Sequence, residues 1–177
     1  MRKITNEELN RLSPEEFKKM EKIPVVLILD DVRSAMNVGS AFRTSDAFAV
    51  EKIYLCGITA KPPHREINKT ALGAQDTVEW EHTEDIIQLS NQLKDTGVTI
   101  VVVEQADESV SLPDFVPDHG RKYAFVFGNE VFGVKDEIVE TADMVLEIPQ
   151  YGTKHSLNIS VSIGVILWDF VSKFRSK

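Results

Sequence analysis

Three short segments hold side chains whose types and spacing suit chemistry on a ligand that carries phosphate and ribose. The first is Arg33-Ser-Ala-Met-Asn37-Val-Gly39-Ser-Ala-Phe-Arg43-Thr44. Asn37 and Gly39 are expected where a strand gives way to a helix, and Arg43 follows among small or apolar neighbours. A guanidinium in such company needs a partner for its fork of donors. Two partners fit: a carboxylate of the same chain, or the phosphate or ribose of a ligand. The second segment is Phe127-Gly128-Asn129-Glu130. Gly128 allows the backbone to approach a ligand closely. Glu130 reads either as a helix-end carboxylate or as the partner of an Arg. The third runs Ile148-Pro149-Gln150-Tyr-Gly152-Thr-Lys154-His-Ser156-Leu157-Asn158. Ser156 and Asn158 are both good helix caps, and each alone is explained by capping.

Other chemistries are excluded by their missing parts. Gly128 to Lys135 (GNEVFGVK) has the outline of a phosphate loop, but Val134 stands where Lys should follow the second Gly, and Asp136 follows Lys135. An acid there would repel the phosphates of a nucleoside triphosphate. Neither G-x-G-x-x-G nor G-x-S-x-G occurs, so the usual dinucleotide fingerprint and the nucleophile elbow are absent. The four histidines, His64, His82, His119 and His155, are scattered, and no metal site is expected. Cys56, the single cysteine, ends an apolar run and reads as a small buried hydrophobe.

Each active segment follows a stretch that must position it. Val25–Leu29 is a continuous apolar run, the mark of a strand buried on both faces. Similar runs occur at Lys52–Leu55, Val98–Val103, Tyr123–Phe127 and Met144–Ile148. Helical patterns lie between them: Ser34–Phe48, Thr83–Lys94 with Thr83 as N-cap and Ile86, Ile87, Leu89 and Leu93 on one face, and Lys135–Thr141. Asn158–Phe174 has the clearest helical period, with Ile159, Ile163, Ile166, Leu167, Phe170, Val171 and Phe174 on one stripe that Val165 and Trp168 widen. So wide a stripe suggests burial on more than one side. Val110–Gly120 reads as a surface connection only. Alternating strands and helices give an α/β fold with a mostly parallel sheet flanked by helices, whose ligands bind beyond the carboxyl ends of the strands.

The 177 residues suit a single domain at 23–177 preceded by a short helical extension at 1–22, where Ser13 caps a turn that begins at Pro14. No apolar run is long enough to cross a membrane and the first residues have no signal-peptide core, which predicts a cytoplasmic protein.

Taken together and in order, N-x-G-x-x-x-R, F-G-N-E and I-P-(polar loop)-S-L-N ahead of an apolar helix resemble the SpoU (TrmH-like) branch of the SPOUT RNA ribose methyltransferases, over about residues 24–174. Lys69-Thr-Ala-Leu-Gly-Ala74 is similar to a segment that often follows the second strand in that family. The resemblance implies methyl transfer from S-adenosylmethionine to a ribose 2′-hydroxyl in tRNA or rRNA. It implies a C-terminal deep trefoil knot and a homodimer with its site at the subunit interface. By the same resemblance Arg43 is the catalytic Arg, supported by Asn37, Glu130, Ser156 and Asn158. The cofactor is then expected among Val103, Glu104, Gly128, Asn129, Ile148, Pro149, Gln150, Ser156 and Leu157.

The formal net charge of −8 runs against a polyanionic partner. A local basic surface must therefore serve, and Arg33, Arg43, Lys61, His64, Arg65, Lys69 and Lys154 are the candidates. The missing room for an extra RNA-binding domain tilts the expectation towards tRNA over rRNA. A non-catalytic RNA-binding or assembly factor with the same fold is the alternative, but it has no use for the cofactor loops. An enzyme acting on a small molecule would explain the acidity and leave the first motif unexplained.

Overall fold

The computed structural model describes residues 1–5 and 7–175. Chain order is α1 (Pro14–Lys19), β1 (Ile23–Asp30), α2 (Ala35–Phe48), β2 (Val50–Cys56), α3 (Arg65–Ala71), β3 (Glu79–Thr83), α4 (Ile86–Asp95), β4 (Val98–Val103), β5 (Val110–Ser111), β6 (Lys122–Phe127), α5 (Asp136–Thr141), β7 (Met144–Glu147) and α6 (Ile159–Phe174). The strands form one seven-stranded sheet in the order β3-β2-β1-β6-β4-β7-β5. Every pairing between these strands is parallel.

The apolar runs behave as their sequence requires. Along β1, Val25, Leu27 and Leu29 face one core layer while Val26 and Ile28 face the other, the two-residue alternation of a strand covered on both sides. Helices α2, α3 and α6 cover the first layer through Phe42, Ile67 and Phe170, among others. Helices α4 and α5 cover the second through Ile86, Leu89 and Ile138. Cys56 is buried, and desolvation followed by the nearby Asp30 charge pushes its thiol up to about 12. It remains a neutral packing residue. Ser13 caps α1 in a reciprocal capping box with Glu16, and Phe17 buries the arm against the first layer.

Several expectations fail for identifiable reasons. Strand β3 (EWEHT) has no apolar run because it is an edge strand, paired on one side with β2 and partly in contact with water. Thr83 ends that strand and does not cap α4. Asp85 does, its carboxylate accepting the Ile87 and Gln88 N–H groups at 2.8 and 3.0 Å. Ile87 is 38% exposed and lies off the buried face. The connection 110–120 is more than surface: Val110–Ser111 pairs with β7, Leu112 and Phe115 are buried, and the Phe115 ring meets Tyr123 edge-on at 5.7 Å. Gly39 lies inside α2, not at the strand–helix junction. A Cβ there would stand 2.0 Å from Thr70 Oγ1 and 2.5 Å from the Ile67 carbonyl, so its small size sets how closely α2 and α3 pack.

Candidate active site

The adjacent interior strands β1, β6, β4 and β7 deliver their following loops to the carboxyl end of the sheet, where the strand order departs from chain order. At β1, Asp30 is 1% exposed and Asp31 takes a left-handed φ of 52°. Asp31 accepts the Ile58 N–H at 3.0 Å, and that bond with the neighbouring Lys135 holds its carboxyl below the usual range. Burial pushes the Asp30 carboxyl up, opposed by Lys135. The Lys135 ammonium lies 3.1 Å from Asp30 and 2.9 Å from Asp31. This ion pair fastens the segment after β6 to the end of β1.

Between them the segment 128–134 doubles back on itself. Asn129 and Gly133 exchange backbone hydrogen bonds at 3.0 and 2.9 Å. The Asn129 side chain donates to the Asp31 carbonyl at 2.8 Å and accepts the Val131 and Phe132 N–H groups at 2.8 and 3.2 Å. Gly128 sits so near this turn that a Cβ would lie 2.2 Å from the Gly133 carbonyl.

Glu130 is thereby held against the entry to α2. Its carboxylate accepts the backbone N–H groups of Arg33 at 2.9 Å and Ser34 at 3.0 Å, and the Asn37 side-chain amide at 3.2 Å. Asn37 in turn accepts from the Asn158 amide at 3.3 Å. Asn158 also caps α6 through the Ser160 N–H at 2.8 Å. One chain of hydrogen bonds thus joins the three segments singled out in the sequence. Of the two roles open for Glu130, the helix-end carboxylate is the observed one, at the N-terminus of α2.

Partial desolvation works against the Glu130 charge, but the backbone N–H groups of Arg33, Glu130 itself and Ser34, with the Asn37 amide, outweigh it and hold the carboxyl below its ordinary value. A carboxyl lowered by folding stabilises the fold above its unfolded value of about 4.3 and loses that contribution as pH falls through the lower folded value. Accordingly, the Arg33 and Ser34 amides should stay protected from hydrogen exchange at pH 5 and above, and lose protection together in more acidic solution. Glu130→Gln should remove this acid transition. Persistence of the same transition in Glu130→Gln would assign it to another group.

Above this network opens a cleft of about 570 Å³, within the size range of small-ligand sites. Of the expected cofactor residues, Val103, Glu104, Gly128, Asn129, Ile148, Gln150, Ser156 and Leu157 line it; Pro149 does not. Glu130, Ser156 and Asn158 also line it, while Asn37 joins through its hydrogen bonds. Phe127, the first residue of the second segment, lies on the apolar floor, and sequence reasoning missed Gln105, Val131, Phe132, Gly133 and Ser162 on the walls and Leu146 and Ile159 on the floor. Gln105 fixes the 149–157 loop by donating to the His155 carbonyl at 2.7 Å. Its position directly after β4 and Glu104 was the available signal.

Arg43 lies outside the cleft walls, exposed on α2, with no hydrogen bond or ion pair among the described residues. The internal carboxylate partner that its surroundings suggested is therefore not Glu130. Arg33, Lys61, His64, Arg65, Lys69 and Lys154 are all exposed. Four of them cluster along α3 and the segment before it, and α3 is joined to the first turn of α2 by Thr70 Oγ1 donating to the Met36 carbonyl at 3.0 Å.

The profile of the SpoU rRNA Methylase family matches residues 24–168. The chain belongs to that family. It is 31% identical over 151 residues to the 23S rRNA (guanosine-2'-O-)-methyltransferase RlmB of Neisseria meningitidis, a match that covers 85% of this chain and 59% of the relative. It is 33% identical over 167 residues to the tRNA (guanosine(18)-2'-O)-methyltransferase of Aquifex aeolicus, covering 94% and 76%. An AdoMet-bound rRNA methyltransferase from Sinorhizobium meliloti superposes with a TM-score of 0.78 at 25% identity, over 90% of this chain and 60% of that one. As a SpoU family member this chain thus spans little more than half the length of its Neisseria relative, and the three joined segments all fall within the matched residues.

Proposed function

We propose that this protein transfers a methyl group from S-adenosylmethionine to a ribose 2′-hydroxyl of RNA. The observation that carries the proposal is the hydrogen-bonded junction of Glu130, Asn37 and Asn158 beside a cleft that fits the cofactor. The fit is chemical as well as volumetric. Phe127, Leu146 and Ile148 supply apolar floor, Gln150 and Ser156 supply polar groups, and Gly128, packed against the Gly133 and Val134 backbone, lets the 128–134 turn close along the cleft. Val103, Glu104, Asn129 and Leu157 complete the set we assign to cofactor binding, and Pro149, which does not line the cleft, only shapes the link between Ile148 and Gln150. When bound, the cofactor supplies an electrophilic sulfonium methyl, and this reaction calls for no metal.

The chain's own residues then have two tasks, in-line positioning and loss of the hydroxyl proton. Arg43 clamps the phosphate and ribose with its planar fork. A guanidinium stays protonated in proteins and is a poor base, so the proton passes to the neighbouring phosphate or to water. Glu130 and Asn37 hold the start of α2, and Asn158 holds the start of α6, so that Arg43 and Ser156 are presented from fixed elements.

The resemblance to SPOUT enzymes supports a homodimer and a C-terminal trefoil knot. Val161, Val165 and Trp168, the last 63% exposed, form a second apolar face on α6 of the kind a subunit seam would cover. A site shared between subunits accounts for an exposed Arg43 outside its own cleft. Residues 23–177 form the methyltransferase unit in this reading and 1–22 an arm. The basic residues around α3, with Arg33 and Lys154, make the RNA surface, for which tRNA is favoured over rRNA. No helix of the described residues is long and apolar enough to cross a membrane, in keeping with action in the cytoplasm.

Mass mapping of ribose methylation in total RNA from cells with and without the protein tests the proposal. One or more 2′-O-methyl marks should vanish with the protein. In titration calorimetry in the presence of a chelator, S-adenosylmethionine should bind saturably. Unchanged RNA together with a flat titration of folded protein would leave the non-catalytic alternative.

A further inference from the structure

The mouth of the cleft presents an aromatic ring to water. Phe132 lines the opening and is 85% exposed, the largest exposure among the apolar residues of the cleft. Beside it Val131 is also exposed, and Leu157 lies on the same cleft from the opposite loop. An apolar mouth with polar surroundings marks a contact surface for a ligand.

The ring is not on a loose loop. Its N–H donates to the Asn129 side-chain oxygen at 3.2 Å, the same side chain binds the Asp31 carbonyl, and the turn is closed by the paired Asn129 and Gly133 backbones. Lys135, two residues beyond the turn, is clamped by Asp30 and Asp31. The backbone that displays Phe132 is therefore pinned on both sides, which lowers the entropy lost when the ring meets a ligand.

Its neighbours indicate which part of a ligand it meets. Glu130, two residues earlier, is bonded to the backbone of Arg33, so the exposed Arg33 arises at the same rim. A cationic fork for phosphate and a flat apolar face for a base are thus both tied to Glu130, Arg33 through its backbone bond to that carboxylate and Phe132 two residues along the chain. Unpaired RNA bases are held by stacking on such rings.

Resting on the proposed activity, we infer that Phe132 stacks on the base of the RNA nucleotide whose ribose is methylated, with Arg33 taking an adjoining phosphate. The target nucleotide is then bound unstacked from its neighbours, and methylation favours single-stranded or loop positions. Because every base has a π-face, this contact holds the nucleotide without choosing its base.

Methyl transfer from labelled S-adenosylmethionine to total RNA from cells lacking the protein tests this with the full chain. Phe132→Ala should lower kcat/KM for RNA by roughly 5- to 150-fold, the range of one base–aromatic stack. Phe132→Tyr should keep most of the wild-type value, and Phe132→Leu, apolar but without a π-face, should fall with Ala. Calorimetric affinity for S-adenosylmethionine and sedimentation mass should match the wild type in all three. Full activity in Phe132→Leu overturns stacking. Weakened cofactor binding would place the ring in the cofactor pocket, and loss of the dimer would place it in the subunit seam; either result also overturns it. If the wild type transfers no methyl to RNA, the proposed function itself falls and takes this inference with it.

Discussion

Arg43→Ala and Arg43→Lys should each lose methyl transfer by about 10²-fold or more, if positioning and phosphate neutralisation fail together. Both variants should melt within about a degree or two of the wild type, because surface substitutions without a specific partner change stability little. Arg43 is exposed and has no ion pair or hydrogen bond among the described residues, so removing it strands no carboxylate. Affinity for S-adenosylmethionine should also hold, since the cleft walls come from other loops. Lys retains the charge and loses the bidentate fork, which makes it the sharper of the two variants. Single-turnover methylation and thermal melts on the same preparations decide the matter. Full activity in Arg43→Lys would remove the clamp, and a collapsed melt with normal turnover per folded molecule would return Arg43 to a structural role.

Gly128→Ala should abolish cofactor binding, by a different route. The added methyl would lie 2.2 Å from the Gly133 carbonyl carbon and oxygen and 2.3 Å from the Val134 nitrogen. All three are backbone atoms, so no side chain can swing away; the turn itself must move. Moving it breaks the Asn129–Gly133 bonds and carries Glu130 away from Arg33, Ser34 and Asn37. We expect S-adenosylmethionine affinity to fall by about 100-fold or more and stability by about 1–3 kcal/mol, the usual range for overpacking. Gly152→Ala provides the control, because its Cβ would meet nothing within 4 Å. It should bind and melt like the wild type. Normal calorimetry in Gly128→Ala would show that cofactor binding does not depend on the Asn129–Gly133 turn.

The parts of the fold legible in the sequence are those where one short stretch contains its own reason. Val25–Leu29 declares a doubly covered strand because every residue is apolar. Helix α6 declares its buried stripe by period, and Ser13 announces a helix start by its capping chemistry. Strand β3 hides because an edge exposed to water can carry Glu79, Glu81 and His82. Phe115 hides because a short edge strand and a turn bring a lone aromatic into the core from a polar stretch. The site was legible as three motifs and illegible as a geometry. Nothing local tells Glu130 to bind the N–H groups before α2, because those groups lie 96 and 97 residues away. Gly39 is required by its contact with Thr70 and Ile67 on another helix, a demand that no residue near it in sequence announces.

Asn158 touches Asn37 across 121 residues of chain, and Asn37 touches Glu130 across 93. Contacts of such separation are the slowest to reward a folding chain, because loop closure must precede them. During synthesis, the entry to α2 leaves the ribosome long before Glu130 exists, and the last member of the network arrives only with the start of α6. A nascent or truncated chain can therefore build much of its sheet and still have no assembled centre. Under the proposed function, methyl transfer would report that the final helix has docked, and a partly made copy would be silent towards RNA instead of modifying it wrongly.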